Sequence, residues 1–297
     1  MDVRNPLGRS VAVALAAVAS AGALAACGGG SGGGSGSGAT SGSGSSQQGT
    51  NAASASVGKL MQSGTIHYCS DISAPPLEFY ANGTQASGSD IELGNAIAGK
   101  LGLKPVWVNT AFSGIIPALQ AGHCDAIISQ LYDKPARRKV VNFVDYMNSS
   151  EALLVAKGNP HHIAGLTGLC GLNVAAETGT TISVDLAQQS KRCTSSGKKP
   201  ITVQTFLRDS DALEQLGLGH VDAYGTTLES GAYDMTKNSG NYQFAGKPFG
   251  QILTGIATRK GDTQLHKAIA HAFAQVRADG QYKSIFAKWH LSGDELK

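Results

Sequence analysis

Charge is scarce in this chain of 297 residues, and aromatic side chains are scarcer: 15% of positions are Asp, Glu, Lys or Arg and 6% are Phe, Trp or Tyr. No side chain from residue 28 to 58 is charged. Nowhere does an apolar run reach the roughly 20 residues that a helix needs to span a bilayer. The 24 basic and 21 acidic residues leave a net charge of +3, too little for a chain that binds nucleic acid through its charge. From residue 59 onward there is no H-E-x-x-H, phosphate-loop, G-x-S-x-G or G-x-G-x-x-G pattern, so the enzyme classes those motifs mark find no support. No C-x-x-C occurs and no histidine sits at metal-ligand spacing, so no metal and no cofactor is expected. Glycine is what the chain has in excess, 39 residues in all. Residues 28–50 hold 11 glycines and 7 serines among 23 positions. Such a segment cannot bury enough apolar surface to offset its conformational entropy and reads as a disordered tether. The rest is long enough for one large or two small domains.

The N-terminus accounts for a tether. Arg4 and Arg9 precede an apolar run of 16 residues, Val11 to Ala26, so residues 1–26 read as a secretory signal. The run ends Leu24-Ala25-Ala26-Cys27, which resembles the bacterial lipobox. That resemblance implies a diacylglyceryl group on Cys27 and residues 27–58 as a leash, with a reach of roughly 30 Å for a flexible chain. The expected place is the extracytoplasmic face of the cell membrane, anchored by lipid. Four further cysteines, Cys69, Cys124, Cys170 and Cys193, form an even set in an exported chain and suggest disulfides, with three pairings possible. Cys170–Cys193 is favoured because the residues between them read as one strand-turn-helix unit. That leaves Cys69 with Cys124, a pairing the sequence alone does not fix.

From residue 65 strand and helix patterns alternate. Strands are expected at Thr65 to Cys69, Pro105 to Asn109 and Asp125 to Ser129, with helices at Asp90 to Leu101 and Ile115 to Gln120, the latter capped by Ser113. A second unit follows a short strand, Leu153 to Ala156. Its strands are expected at Leu172 to Ala176, Ile201 to Thr205 and Val221 to Tyr224, and its helices at Ile182 to Gln189 and Ala212 to Leu218. An extended piece, Gln251 to Thr258, precedes helices at Thr263 to Arg277 and Gln281 to Trp289. The order argues for an α/β protein of two hinged lobes, each a mainly parallel sheet flanked by helices. Ligands bind such folds beyond the C-terminal ends of the strands.

Several stretches match one family. Gly88-Ser89-Asp90-Ile91-Glu92-Leu93 resembles the G-F-D-x-D-L signature of family 3 solute-binding proteins, the extracytoplasmic receptors of ABC importers for polar amino acids. Phe112 to Gln120, Asp125 to Ser129 with Pro135 and Arg137, Gly179-Thr180-Thr181, and Arg277 to Gly280 with Ala287-Lys288-Trp289 continue the match in order. The resemblance implies a type II periplasmic-binding-protein fold with a crossed-over chain. Lobe 1 would be residues 59–154 plus 257–297, and lobe 2 residues 155–256. It also implies a monomer that captures a small polar solute, an amino acid or a related carboxylate, and hands it to a membrane permease.

The same resemblance points to ligand-binding residues. Arg137 would grip a carboxylate, a task suited to an always-charged, bidentate guanidinium; the alternative is a surface residue of the run Arg137-Arg138-Lys139. Gly179, Thr180 and Thr181 open a helix whose free N–H groups would meet the same carboxylate, or simply cap it. Phe112 would wall the ligand side chain, and Ser129 lies in the matched segment. Asp71 would hold a cationic group or order its own loop, and Glu177 falls in the expected cleft. The chain also departs from the family. Thr227 stands where an Asp usually pairs the α-ammonium, so Asp71, Glu177 or Glu229 takes that group, or the ligand lacks it. Ala74 replaces an aromatic, and Gln130 and Tyr132 replace small residues, so the aromatic wall is expected at Tyr132. Two other functions share this cleft: a cyclohexadienyl-dehydratase-like enzyme, with Glu177 as general acid, and a ligand sensor.

Overall fold

The computed structural model describes residues 57–297. The expected leader, Cys27 and most of the expected tether lie outside the described residues. Among those described, no helix is long and apolar enough to cross a membrane.

The chain opens with strand β1 (Thr65–Ser70), a small hairpin of β2 (Phe79–Tyr80) and β3 (Ala86–Ser87), and helix α1 (Ser89–Lys100). β4 (Lys104–Asn109), a 3-10 turn (Phe112–Gly114), α2 (Ile115–Gln120), β5 (Ala126–Ile127) and the single turn α3 (Pro135–Arg138) follow. β6 (Val141–Ala156) leads into a second series of β7 (Asn173–Glu177), α4 (Thr181–Ser195), β8 (Thr202–Phe206) and α5 (Asp209–Gly217). Then come β9 (Ala223–Thr227), α6 (Leu228–Lys237), β10 (Tyr242–Phe244), β11 (Phe249–Arg259), α7 (Thr263–Ala278) and α8 (Gln281–Lys288).

In α1 the periodic Leu93, Ile97 and Ala98 face the core, while Asp90 and Glu92 in the first turn and Lys100 in the last complement the helix dipole. β1 runs parallel to β4 and β5, and β7 parallel to β8 and β9. These are the two parallel groups expected. They are not separate sheets, however. β6 and β11 pair antiparallel with each other and join both groups into one curled, nine-stranded sheet, ordered β4-β1-β5-β11-β6-β9-β7-β8 with β10 against β6. The expected strand at Leu153 is thus only the end of β6, a strand of 16 residues. Its first part, with Asn148, Ser149 and Ser150, lacks an apolar run and becomes a strand through pairing with β11.

Of four hydrophobic cores among the described residues, two are the largest. Ile66, Tyr68, Leu93, Ile97, Ile269, Phe273, Tyr282 and Phe286 fill one. Val57 is buried there too, although the expected boundary left it to the tether. Leu153, Val155, Val174, Ile182, Leu186 and Ala223 fill the other. The result is a two-lobed α/β fold. Cys69 is bonded to Cys124 and Cys170 to Cys193, closing loops of 55 and 23 residues. The C-terminal tail lies on β6, where the Asn148 N–H donates to the Asp294 carbonyl at 2.8 Å.

Candidate functional site

The strands of both parallel groups end at one cavity with about 550 Å³ of space between protein atoms, part of it open to solvent. Asp71, Phe112, Ser129, Gln130, Tyr132 and Arg137 line it from the first series of elements. Glu177, Thr180, Thr181 and Thr227 line it from the second. Ten of the eleven expected ligand residues therefore share one cavity wall. Gly179 is not on that wall, but its carbonyl accepts a hydrogen bond from Arg137 Nη2 at 3.5 Å.

Arg137 ends the first turn after Pro135, whose fixed φ suits the start of a helix. Its Nη1 donates to the Tyr132 carbonyl at 3.1 Å, and its guanidinium lies 5.4 Å from the centre of the Phe112 ring. Among the described residues no carboxylate is within ion-pair distance of it, whereas Arg138 is paired with Asp133 and Asp145. Burial lowers the Arg137 guanidinium to about 10. Here is a half-buried cation without a counter-ion, beside an aromatic face. It is built for an anion.

Across the cavity Thr180 caps α4, its Oγ1 accepting the Ser183 N–H at 3.3 Å while its hydroxyl donates to the Glu177 carbonyl at 2.7 Å. Capping and cleft lining hold together. The preceding Gly179 has φ +86°, and a Cβ there would lie 2.9 Å from Ser113 Cα. Only glycine permits this approach of α4 to the 3-10 turn. Ser113 itself does not cap α2: it lies inside that turn, and Gly114 precedes the helix with no side-chain cap.

The acidic residues group around Asp71. One of its oxygens accepts the Phe112 N–H at 2.7 Å and the other pairs with Arg208 at 3.3 Å, so Asp71 orders its loop while facing the cavity. Glu177, 6% exposed, keeps one oxygen without a hydrogen-bond partner among the described residues. Burial, then Asp209 and Asp71, raise its carboxyl well above the usual range. Burial raises Asp209 to about 7. Glu229 does not line the cavity; its Oε2 accepts from Ser149 at 3.0 Å and from Gln130 Nε2 at 3.1 Å. Gln130 itself sits at φ +42°, a left-handed conformation that a non-glycine residue adopts at a cost. The Tyr132 hydroxyl is 3.1 Å from Ser149 Oγ.

Three cavity carboxylates escaped the sequence reasoning: Glu78, Glu151 and Asp209. Asp209 opens α5, and Glu151 lies within β6 directly before its apolar end, Ala152 to Ala156. Glu78 accepts from the Ser129 hydroxyl at 3.1 Å, a pairing across 51 positions that no local pattern announces.

A family profile described as bacterial extracellular solute-binding proteins, family 3, matches residues 66–292. The arginine-binding protein of Corynebacterium glutamicum is 28% identical over 78% of this chain and 76% of its own length. An ancestral arginine-binding protein bound to arginine superposes with a TM-score of 0.69 at 33% identity, covering 76% of this chain and 98% of that one. An ancestral amino acid-binding protein, described as a precursor of cyclohexadienyl dehydratase, gives a TM-score of 0.69 at 30% identity over 76% and 95% of the two chains.

Proposed function

Because the chain belongs to the bacterial extracellular solute-binding proteins of family 3, we propose that its cleft captures an amino acid and delivers it to the permease of an ABC importer. The observation that carries this reading is Arg137, a half-buried guanidinium with no carboxylate partner among the described residues, turned into a cavity between two lobes. The α-carboxylate of an amino acid supplies the missing anion through a bidentate, charge-assisted pair. The carboxyls of Glu177 and Asp209 fit a side chain that is itself cationic, in keeping with the arginine-binding relatives.

In this reading lobe 1 is residues 59–154 plus 257–297, lobe 2 is 155–256, and closure is a hinge motion on β6 and β11. The monomer is held at the extracytoplasmic membrane face by lipid on Cys27. No reaction is required of the cleft. A thermal-shift screen over the twenty amino acids, followed by calorimetry, tests the reading: a specific ligand raises the melting temperature by mass action. A folded protein that none of them stabilises overturns it. Turnover of prephenate or arogenate would make the protein an enzyme instead.

A further inference from the structure

The last residue of β9, Thr227, is the Cα partner of Glu151 on the neighbouring strand β6. Residues directly opposite in an antiparallel ladder point to the same face, and both line the cavity. Glu151 is 2% exposed, and neither of its carboxylate oxygens has a hydrogen-bond partner among the described residues. A buried carboxylate with both oxygens bare is costly unless something pairs with it. Burial, with Asp185 nearby, raises its carboxyl to about 8, against the opposing pull of Lys134. The hydroxyl of Thr227 is already committed, accepting the Ser230 N–H and the Gln130 amide, each at 3.2 Å.

The cavity has two electrostatic neighbourhoods. Arg137 Nη1 donates to the Tyr132 carbonyl at 3.1 Å, and the Tyr132 hydroxyl meets Ser149 Oγ at 3.1 Å, two residues before Glu151 on β6. Glu177 feels Asp209, Asp71 and Arg208 instead. The α-carboxylate and α-ammonium of an amino acid sit on one carbon, so the group that receives the ammonium must lie near Arg137. Glu151 satisfies this, while Asp71 is tied to Arg208 and Glu78 to Ser129.

We propose that Glu151 is the counter-charge of the ligand's α-ammonium group, supplied from the crossing strand β6 beside Thr227. This rests on the reading of the cleft as an amino-acid site.

The test compares L-arginine with 5-guanidinopentanoate, which lacks only the α-ammonium. Where L-arginine is not bound and L-glutamine is, 4-carbamoylbutanoate serves in the same way. Wild-type protein is expected to prefer the amino acid by about a hundredfold, the range of a charged hydrogen bond. Glu151→Gln is expected to cut that preference to about threefold or less, by weakening the amino acid and not its analogue. Because residues 151 and 227 share a face, Thr227→Asp in the Glu151→Gln background is expected to restore at least about tenfold of the preference. Glu151→Gln that keeps the wild-type preference, or that weakens both compounds equally, overturns the assignment of Glu151 and leaves the amino-acid reading standing. Rescue by Thr227→Asp distinguishes a lost charge from a misfolded hinge, and its failure in a variant that melts like wild type also overturns the assignment. Wild-type protein that binds no amino acid overturns both readings together.

Discussion

Arg137 and Arg138 are neighbours in sequence with opposite surroundings. One faces the cavity without a carboxylate partner among the described residues, and the other is paired with Asp133 and Asp145 at the surface. Arg137→Ala is expected to weaken ligand binding by about 2–5 kcal/mol, as removal of one partner of a buried charge pair does. Arg138→Ala is expected to leave affinity within about threefold, since exposed ion pairs contribute little. Calorimetry on both variants, with circular dichroism as the folding control, measures the contrast. Ligand pairing also moves protons. A cationic group binds the ionised form of a carboxyl, and burial holds Glu151 at about 8 and Asp209 at about 7. Binding of L-arginine at pH 7 is therefore expected to release protons, and affinity to rise from pH 6 to 8. Calorimetry in buffers of different ionisation enthalpy reads the release directly. At this scale Arg137, Phe112 and Thr180 could be placed at the cavity because each falls in a stretch that resembles the family. Glu151 was hidden. Nothing in a run of Ser, Glu, Ala and Leu says that its acid will lie beside Thr227, because that register is set by a partner strand 76 residues later.

At the scale of elements, the turn before α4 is the most demanding piece of backbone in the cleft. Gly179→Ala puts a Cβ 2.9 Å from Ser113 Cα at a φ of +86°, so α4 can no longer approach the 3-10 turn. Affinity is expected to fall at least about tenfold from the left-handed strain alone, with the further loss of closure visible as a larger radius of gyration in ligand-saturated scattering. The disulfides act on loops rather than on contacts. Opening the 23-residue loop by Cys170→Ser with Cys193→Ser is expected to cost about 3 kcal/mol in urea titrations, and opening the 55-residue loop about 4. Helices with a regular apolar face, such as α1 and α7, could be read from periodicity. α6 could not: the residues it buries include Glu229, Ser230, Gly231 and Asp234, so it has no apolar stripe to detect. β10 and the first part of β6 were invisible for a similar reason, being strands by virtue of their partners.

For the whole molecule, the buried carboxyls set a pH trend. Asp209 and Glu229 are raised to about 7, and Glu151 and Asp234 to about 8, chiefly by burial. Each keeps its proton in the folded state at a pH where the unfolded chain has lost it. Their contribution is complete below the ordinary carboxyl range of about 4 and disappears as pH rises through 7–8. The urea midpoint without ligand is expected to fall steadily from pH 5 to 8.5; a flat or rising profile would contradict the burial of these groups. The crossing of β6 and β11 has one more consequence, for synthesis. The buried residues of the core around Val174, Ile182 and Ala223 all lie between 153 and 245. The core around Tyr68 and Ile97 also needs Phe273 and Phe286, which are translated more than a hundred residues after β4. The interior of the sequence can finish first, and its outer parts must wait for each other. Pulse-labelled hydrogen exchange during refolding should then protect β7 and β9 before β1 and β4, a nesting in time that mirrors the nesting of one lobe inside the other.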